Sequence, residues 1–151
     1  MKEQPPSAGS KKDNKNFFRQ TWVEVDKSDF HFNLKKIKEY LKKDTKILAV
    51  IKSNGYGHGG VELAKEAVKA GVYGIAVSSI EEGIQFRKAG IKTNLLVFGV
   101  PYPIDNLSVS VYWDLIPTLT NLHDIQYLAS LAKKLGKTLE FHLKIDTGMG
   151  R

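Results

Sequence analysis

The sequence predicts an α/β fold built on a parallel sheet. Three observations predict it. Short apolar runs of strand length alternate with amphipathic stretches of helical period. From Lys46 onward the alternation recurs about every 20 to 27 residues, the length of a strand plus a crossover helix. Glycines close three of the helical stretches, at Gly71, Gly90 and Gly136. Parallel strands need long crossovers, and the alternation supplies them. Two architectures share the pattern: the open doubly wound sheet and the closed (β/α)8 barrel. Five strand units would complete the first and only part of the second.

The elements follow in order. Residues 1–20 are polar, with Pro5, Pro6, Gly9 and Ser10, and read as a flexible tail. Thr21 to Asp26 alternates large and polar residues and reads as a short strand. Ser28 is a plausible N-cap for a helix whose apolar positions are Phe32, Leu34, Ile37 and Leu41. Ile47 to Ile51 is a continuous apolar run, as a strand covered on both faces requires. A glycine-rich loop spans Asn54 to Gly60, and a helix spans Val61 to Ala70. Tyr73 to Val77 is the next strand, Ile80 to Ala89 the next helix, and Asn94 to Phe98 the third strand. Val100 to Ser110 has no clear period. Leu115 to Leu119 reads as a fourth strand, complicated by Pro117. Asn121 to Leu135 is a strong helix, and Leu139 to Ile145 a fifth strand. The last residues, Asp146 to Arg151, form a loop after that strand with no helix to cover it. The expectation is a flexible tail over 1–20 and an incomplete α/β domain over 21–151.

Composition excludes several classes. The chain has 151 residues, 42% hydrophobic and 26% charged, as in an ordinary globular domain. Its net charge is +7, but the lysines are mixed with acids and no basic run is interleaved with aromatics. That describes a solvated lysine-rich surface rather than a nucleic-acid binder. There is no cysteine, so no disulfide, thiolate metal site or cysteine nucleophile. No metal site is expected. No apolar run approaches membrane-spanning length, and the N-terminus has no signal-peptide core. A cytoplasmic protein is expected.

The chemistry concentrates in Ile51-Lys52-Ser53-Asn54-Gly55-Tyr56-Gly57-His58-Gly59-Gly60, between a strand and a helix. Parallel α/β folds place active sites there, at the carboxyl ends of their strands. Gly55, Gly57 and Gly60 match G-x-G-x-x-G, with Glu81 and Glu82 about twenty residues on, which imitates a dinucleotide fingerprint. In that fingerprint the first glycine turns directly off the strand. Here Lys52, Ser53 and Asn54 intervene. A lysine at a strand mouth suits a Schiff base with a carbonyl cofactor, once burial or positive neighbours strip its proton. The glycines, the following helix N-terminus and the Tyr56 hydroxyl suit a phosphate. The alternative for Lys52 is a solvated strand-end lysine.

The stretch from Lys52 to Gly59 resembles the cofactor-lysine motif of the alanine racemase family, whose usual form is K-A-N-A-Y-G-H-G. Thr21 to Asp26 followed by Asn33-Leu34 resembles that family's opening T-W-x-E-[IV]-D … N-L. Ser78 to Gly90 resembles its S-x-x-E-[GA]…R-x-A-G, and His142 to Arg151 resembles its H-x-K-x-D-T-G-M-G-R. The resemblance covers 21–151 in the family's order. It implies the N-terminal part of a (β/α)8 barrel that binds pyridoxal 5′-phosphate (PLP), incomplete in this chain. It implies an isomerase that interconverts L- and D-alanine and supplies D-alanine for peptidoglycan. The complete protein is expected to be a homodimer.

Carried over residue by residue, the resemblance makes Lys52 the cofactor lysine and one of two racemisation bases. Tyr56 becomes a phosphate contact. Arg151 contacts the cofactor's phenolic oxygen and the substrate. Lys144 matches a lysine carbamylated in some members. Alternation puts His142, Lys144 and Asp146 on one face of their strand. If that face points inward, Lys144 meets Arg151, and a carbamate there would pair with the arginine; pairing of an unmodified Lys144 with Asp146 is the other reading. The second base is implied to be a tyrosine of a partner subunit's C-terminal domain, so this chain alone is expected to be inactive. Ser53 and Gly55 replace the family's common alanines, and Phe98 stands where leucine is usual. Two other functions remain: a PLP-binding module without racemase turnover, and a dinucleotide-binding domain.

Overall fold

The computed structural model describes residues 23–150. The chain forms five short strands, β1 (Leu48–Val50), β2 (Gly74–Val77), β3 (Asn94–Val97), β4 (Ile116–Leu119) and β5 (His142–Leu143). Between and before them lie α1 (Lys27–Tyr40), the short turn α2 (Lys52–Tyr56), α3 (Gly60–Lys69), α4 (Ile80–Lys88), α5 (Asn106–Tyr112) and α6 (Leu122–Leu135). The strands pair in parallel, in the order β1-β2-β3-β4-β5. That order separates the two architectures the pattern left open. A doubly wound sheet reverses its strand order at a switch point and carries helices on both faces. Here each strand lies beside its predecessor, as in a barrel wall.

The register defines two faces. Val50, Ala76, Leu96 and Ile116 are level and share one face; Thr118 and His142 continue it on β4 and β5. Ile51, Ile75, Val77, Leu95 and Val97 alternate onto the other, where they pack against Leu34, Leu63, Ala67, Ile80 and Phe86 of the helices. A smaller cluster of Leu107, Leu119 and Leu128 seals α5 and α6 onto β4. The helices therefore cover the outer face, and the inner face is left to the site. At β5 and just after it the apolar side chains are bare: Leu143 is 54% and Ile145 69% exposed.

Several expectations shift. The tail, Thr21 and Trp22 lie outside the described residues. Val23 to Asp26 form no strand; Asp26, not Ser28, caps α1, its carboxylate accepting the N–H groups of Ser28 and Asp29 at 2.7 and 3.2 Å. Phe32 and Ile37 are exposed, and Leu34 alone is buried on α1. The buried stripe runs through Phe30 and Leu34, and Lys38 continues it by donating to the carbonyls of Ala70 and Gly71. Phe32, two positions from Phe30 and Leu34, points away from that stripe. Val100 to Ser110, without a clear period, holds the start of α5. Pro117 sits inside β4 opposite Val97, and pairing with β5 begins one residue later, at Thr118. A proline has no N–H to add to a ladder.

Candidate active site

Lys52 follows β1 on the inner face, at the carboxyl end of the sheet. Directly after it the backbone turns left-handed. Ser53, Asn54 and Gly55 have φ of 52°, 53° and 63°, and Tyr56 has φ of 54°. L-residues pay about 1–2 kcal/mol each in this region, and only Gly55 escapes it. A methyl at Gly55 would also meet Leu63 Cδ1 at 2.9 Å, so the glycine that replaces the family's alanine leaves room for that leucine.

Hydrogen bonds hold the strained turn. Gly57 N–H donates to Ser53 O at 3.1 Å, His58 N–H to Gly55 O at 3.1 Å and Gly59 N–H to Asn54 O at 3.0 Å. Gly60 N–H donates to Asn54 Oδ1 at 2.8 Å, and His58 Nδ1 lies 3.0 Å from Gly55 O. These bonds correct one expectation. The amides of Gly57, His58, Gly59 and Gly60 are engaged within the loop, so these four are not free donors for a phosphate. The Tyr56 hydroxyl makes no hydrogen bond with another described residue.

The second clamp comes from α4. Glu82 Oε1 accepts the Ser53 N–H at 2.6 Å, and Oε2 accepts the N–H and Oγ–H of Ser78 at 2.7 and 2.8 Å. Burial pushes the Glu82 carboxyl up, but the donors of Ser78, Ser53 and Ser79 outweigh it and hold the carboxyl below its ordinary value. These partners also take Glu82, one of the two acids in the dinucleotide reading, out of any role with a nucleotide ribose.

A cleft of about 620 Å³ opens over the inner face, lined by Lys52, Ser78, Phe98, Thr118, His142 and Lys144 among others. The volume is in the range that binds small molecules. Lys144 is set there by its N–H, which donates to Leu119 O at 2.9 Å. His142 and Lys144 thus share the inward face, the case that alternation had left conditional. Asp146 does not pair with Lys144. Its carboxylate accepts the N–H of Gly148 at 2.9 Å and of Gly150 at 3.0 Å, and these donors hold its pKa below the ordinary value. Lys144 has no carboxylate within 4.0 Å among the described residues.

Tyr56 has its ring centroid 6.0 Å from Lys52 Nζ, yet it lines a neighbouring groove with Val25, Asp29 and Phe30. The structure brings Lys52 and Lys144 into one cleft and places Tyr56 at its border. Arg151 lies outside the described residues. Among the described residues no cluster of His, Cys, Asp and Glu could hold a metal, and no helix is long and apolar enough to cross a membrane.

The wall of the cleft is tight at Gly99. A Cβ there would lie 2.5 Å from Ser78 O, a backbone atom that cannot swing aside. Gly99→Ala should therefore destabilise the fold by about 2 kcal/mol, the usual cost of overpacking, read by urea unfolding. A variant within 0.5 kcal/mol of wild type, on the order of a neutral surface change, would mean that the two segments part easily.

Sequence reasoning missed three residues here. Thr118 Oγ1 is buried in the cleft without a hydrogen-bond partner among the described residues. Asn54 was read as a loop residue, and Glu82 was given a role only as a ribose acid, although it also stands in the S-x-x-E-[GA] segment. Ser79 and Glu82 do have capping-box spacing, S-x-x-E, which could have marked Glu82 as engaged.

The family described as "Alanine racemase, N-terminal domain" matches residues 25–151. This chain belongs to the alanine racemase family. It is 40% identical over 134 residues to alanine racemase 2 of Oceanobacillus iheyensis, covering 89% of this chain and 34% of that protein. Among solved structures, an alanine racemase from Bacillus anthracis with bound L-Ala-P has a TM-score of 0.78 at 37% identity, covering 89% of this chain and 34% of that one. A histidine racemase from Leuconostoc mesenteroides has a TM-score of 0.72 at 27% identity, covering 83% and 33%. The chain spans about a third of the length of these relatives. The incomplete barrel expected from the motifs is the fold observed, with the alanine racemase wall of parallel strands.

Proposed function

We propose that this chain carries the cofactor-lysine part of a PLP-dependent alanine racemase. One observation supports it above the others. Lys52 stands at the carboxyl end of the sheet, on a strained and heavily bonded turn, in one cleft with Lys144. Strain held so firmly is a feature of functional sites. The cleft suits the cofactor: it is large enough, it has a lysine at its edge, and its buried Thr118 hydroxyl has no described partner.

In this reading Lys52 Nζ holds PLP covalently, Tyr56 Oη donates to the phosphate, and Arg151 faces the phenolic oxygen and the substrate. Bound PLP supplies an electron sink that weakens the Cα–H bond of an amino acid. Lys52 Nζ then takes or returns the proton at Cα on one face. The base for the other face belongs, in this proposal, to a residue outside these 151, on the partner in a homodimer. Lys144, with Asp146 engaged elsewhere, is the position for a carbamate facing Arg151; intact mass in bicarbonate buffer would show 44 Da added, the mass of CO2, on the order of what any such carbamate adds. The substrate is alanine, the place the cytoplasm, and the product D-alanine for peptidoglycan.

The complete protein should racemise L-alanine with added PLP, followed by D-amino-acid detection, while the 151-residue chain alone should not. PLP uptake on Lys52 in the complete protein with no racemisation of any amino acid would favour a PLP-binding module. Turnover of histidine in preference to alanine would move the substrate assignment.

A further inference from the structure

We infer that Glu82 is a positioning residue for Lys52: its carboxylate clasps the backbone beside the cofactor lysine to the end of β2, and so sets where Lys52 points. The inference rests on the reading of Lys52 as the cofactor lysine.

The clasp joins two loops that no other hydrogen bond links among the described residues. Oε1 reaches the Ser53 N–H at 2.6 Å, across 29 residues of sequence. Oε2 takes both donors of Ser78 at 2.7 and 2.8 Å. Ser53 is the first residue of the left-handed run, and its amide is the one that follows Lys52 directly. Ser78 lines the cleft that Lys52 lines. One carboxylate therefore bridges two edges of the cleft.

A plain helix cap does not account for this. In a capping box the acid three residues into the helix returns to the amide of the N-cap residue, which here is Ser79. The cap's other half exists but is long: Ser79 Oγ accepts the Glu82 N–H at 3.4 Å. The Ser79 N–H does act on the carboxylate, as the last of its donors, but the short bonds are those to Ser53 and Ser78. Hydrogen bonds to an ionised acceptor are shorter and stronger than neutral ones, and both Glu82 oxygens are used in them.

The backbone beside Lys52 has few other anchors. Ile51 N–H still belongs to the sheet, donating to Ala76 O at 2.9 Å, and the next firm bonds are those within the turn itself. Those internal bonds shape the turn and tie its far end to the start of α3. Among the described residues the Glu82 carboxylate is what hydrogen-bonds the Ser53 end to the end of β2, so without it that end, and Lys52 beside it, is free to shift. A displacement of about 1 Å of a reacting group is enough to cost on the order of a hundredfold in rate.

The test uses the complete protein, wild type and Glu82→Gln, Glu82→Ala, Ser78→Ala and Lys52→Ala. Two quantities are read: amide hydrogen exchange of residues 53–56 without cofactor, and the PLP concentration that half-saturates borohydride-fixed labelling of the residue-52 peptide. A glutamine keeps the packing but offers one acceptor where two arms need one each. Glu82→Gln should speed exchange at Ser53 about tenfold, raise the half-saturating PLP about tenfold, and leave exchange in β2 and β3 unchanged, each tenfold being one lost bond of ordinary strength. Glu82→Ala should do more. Ser78→Ala removes one of the two donors to Oε2 and leaves the Ser78 N–H and the Ser53 arm, so it should move both readings in the same direction as Glu82→Gln but less. A Glu82→Gln protein that matches wild type in both, while Lys52→Ala abolishes labelling, overturns the positioning role and leaves the cofactor reading intact. Faster exchange throughout the sheet would mark Glu82 as a general stability residue and overturn the role too. A wild type that takes no PLP onto residue 52 removes the cofactor reading, and this inference with it.

Discussion

Lys52→Ala should abolish covalent uptake of PLP by the complete protein and, with it, racemisation. The visible band of bound cofactor and its borohydride-fixed attachment to the residue-52 peptide should both vanish. Turnover should fall by at least about 10³-fold, since a base and a covalent anchor are lost together. The fold should survive. Lys52 is only half-buried, makes no hydrogen bond or ion pair within the described residues, and contributes nothing to the packed outer face. Its ammonium lies 6.0 Å from the Tyr56 ring centroid, an interaction of about 0.5–1 kcal/mol at an exposed site. An unchanged urea midpoint beside lost labelling is therefore the expected pair of results. Labelling that persists in Lys52→Ala would move the cofactor to another lysine. Lys144 is the first to examine, because it lines the same cleft.

The largest effect on stability is expected at the other end of the sheet. Arg87, in the last turn of α4, has a side chain only 11% exposed. Its guanidinium is spent on backbone. Nε donates to Trp113 O at 3.1 Å, Nη1 to Ile91 O and Thr93 O at 2.8 Å each, and Nη2 to Asp114 O at 2.6 Å. Asp114 Oδ2 adds an ion pair at 3.6 Å. Burial lowers the Arg87 pKa and Asp114 opposes that shift, but a guanidinium stays charged at any working pH. One side chain thus joins the loop into β3 to the loop into β4. Conserved function at the carboxyl end and stability at the amino end is the usual division in such barrels, and Arg87 sits at the amino end.

Arg87→Ala leaves four carbonyls without their donor and should lower stability by about 3 kcal/mol, given the strength of charged hydrogen bonds and the penalty for unmade ones. In a domain of this size that is roughly 10 °C in Tm. Arg87→Lys should recover little, because a compact ammonium cannot reach in three directions as the planar fork does. PLP uptake at low temperature should be unaffected in both. An Arg87→Lys protein as stable as wild type would show that the carbonyls find water and that the fork is dispensable.

Much of the fold was legible because local sequence encodes it. The 3.6 period and the closing glycine of α6, Asn121 before it and Gly136 after it, mark both ends of that helix; Asn121 accepts the Asp124 N–H, and Gly136 takes the left-handed C-cap at φ 62°. The continuous apolar runs at 47–51 and 73–77 became β1 and β2, covered on the outside by helices. The pattern failed where neighbours decide. Val23 to Asp26 alternates like a strand but finds no strand to pair with among the described residues, and its last residue caps α1 instead. Phe32 and Ile37 have helical spacing but fall off the stripe that α3 covers.

The site divides in the same way. Lys52, Tyr56, Lys144 and Arg151 are singled out by motif, and motif alone assigns the alanine racemase family. Identity of residue types in order is a property of the chain, and it needs no coordinates. The motifs already implied the barrel that the periodic pattern left open; what only the tertiary structure decided is the inward face that brings Lys52 and Lys144 into one cleft. It also decided the left-handed turn, the partners of Glu82 and Asp146, and the burial of Thr118. Most of these depend on groups far apart in sequence meeting in space: Ser53 with Glu82, Val50 with Ala76 and Leu96, Thr118 with His142. Periodicity records which side of an element is apolar; it carries no information on which other element will meet that side, because that is set by packing and hydrogen bonding across the whole sheet.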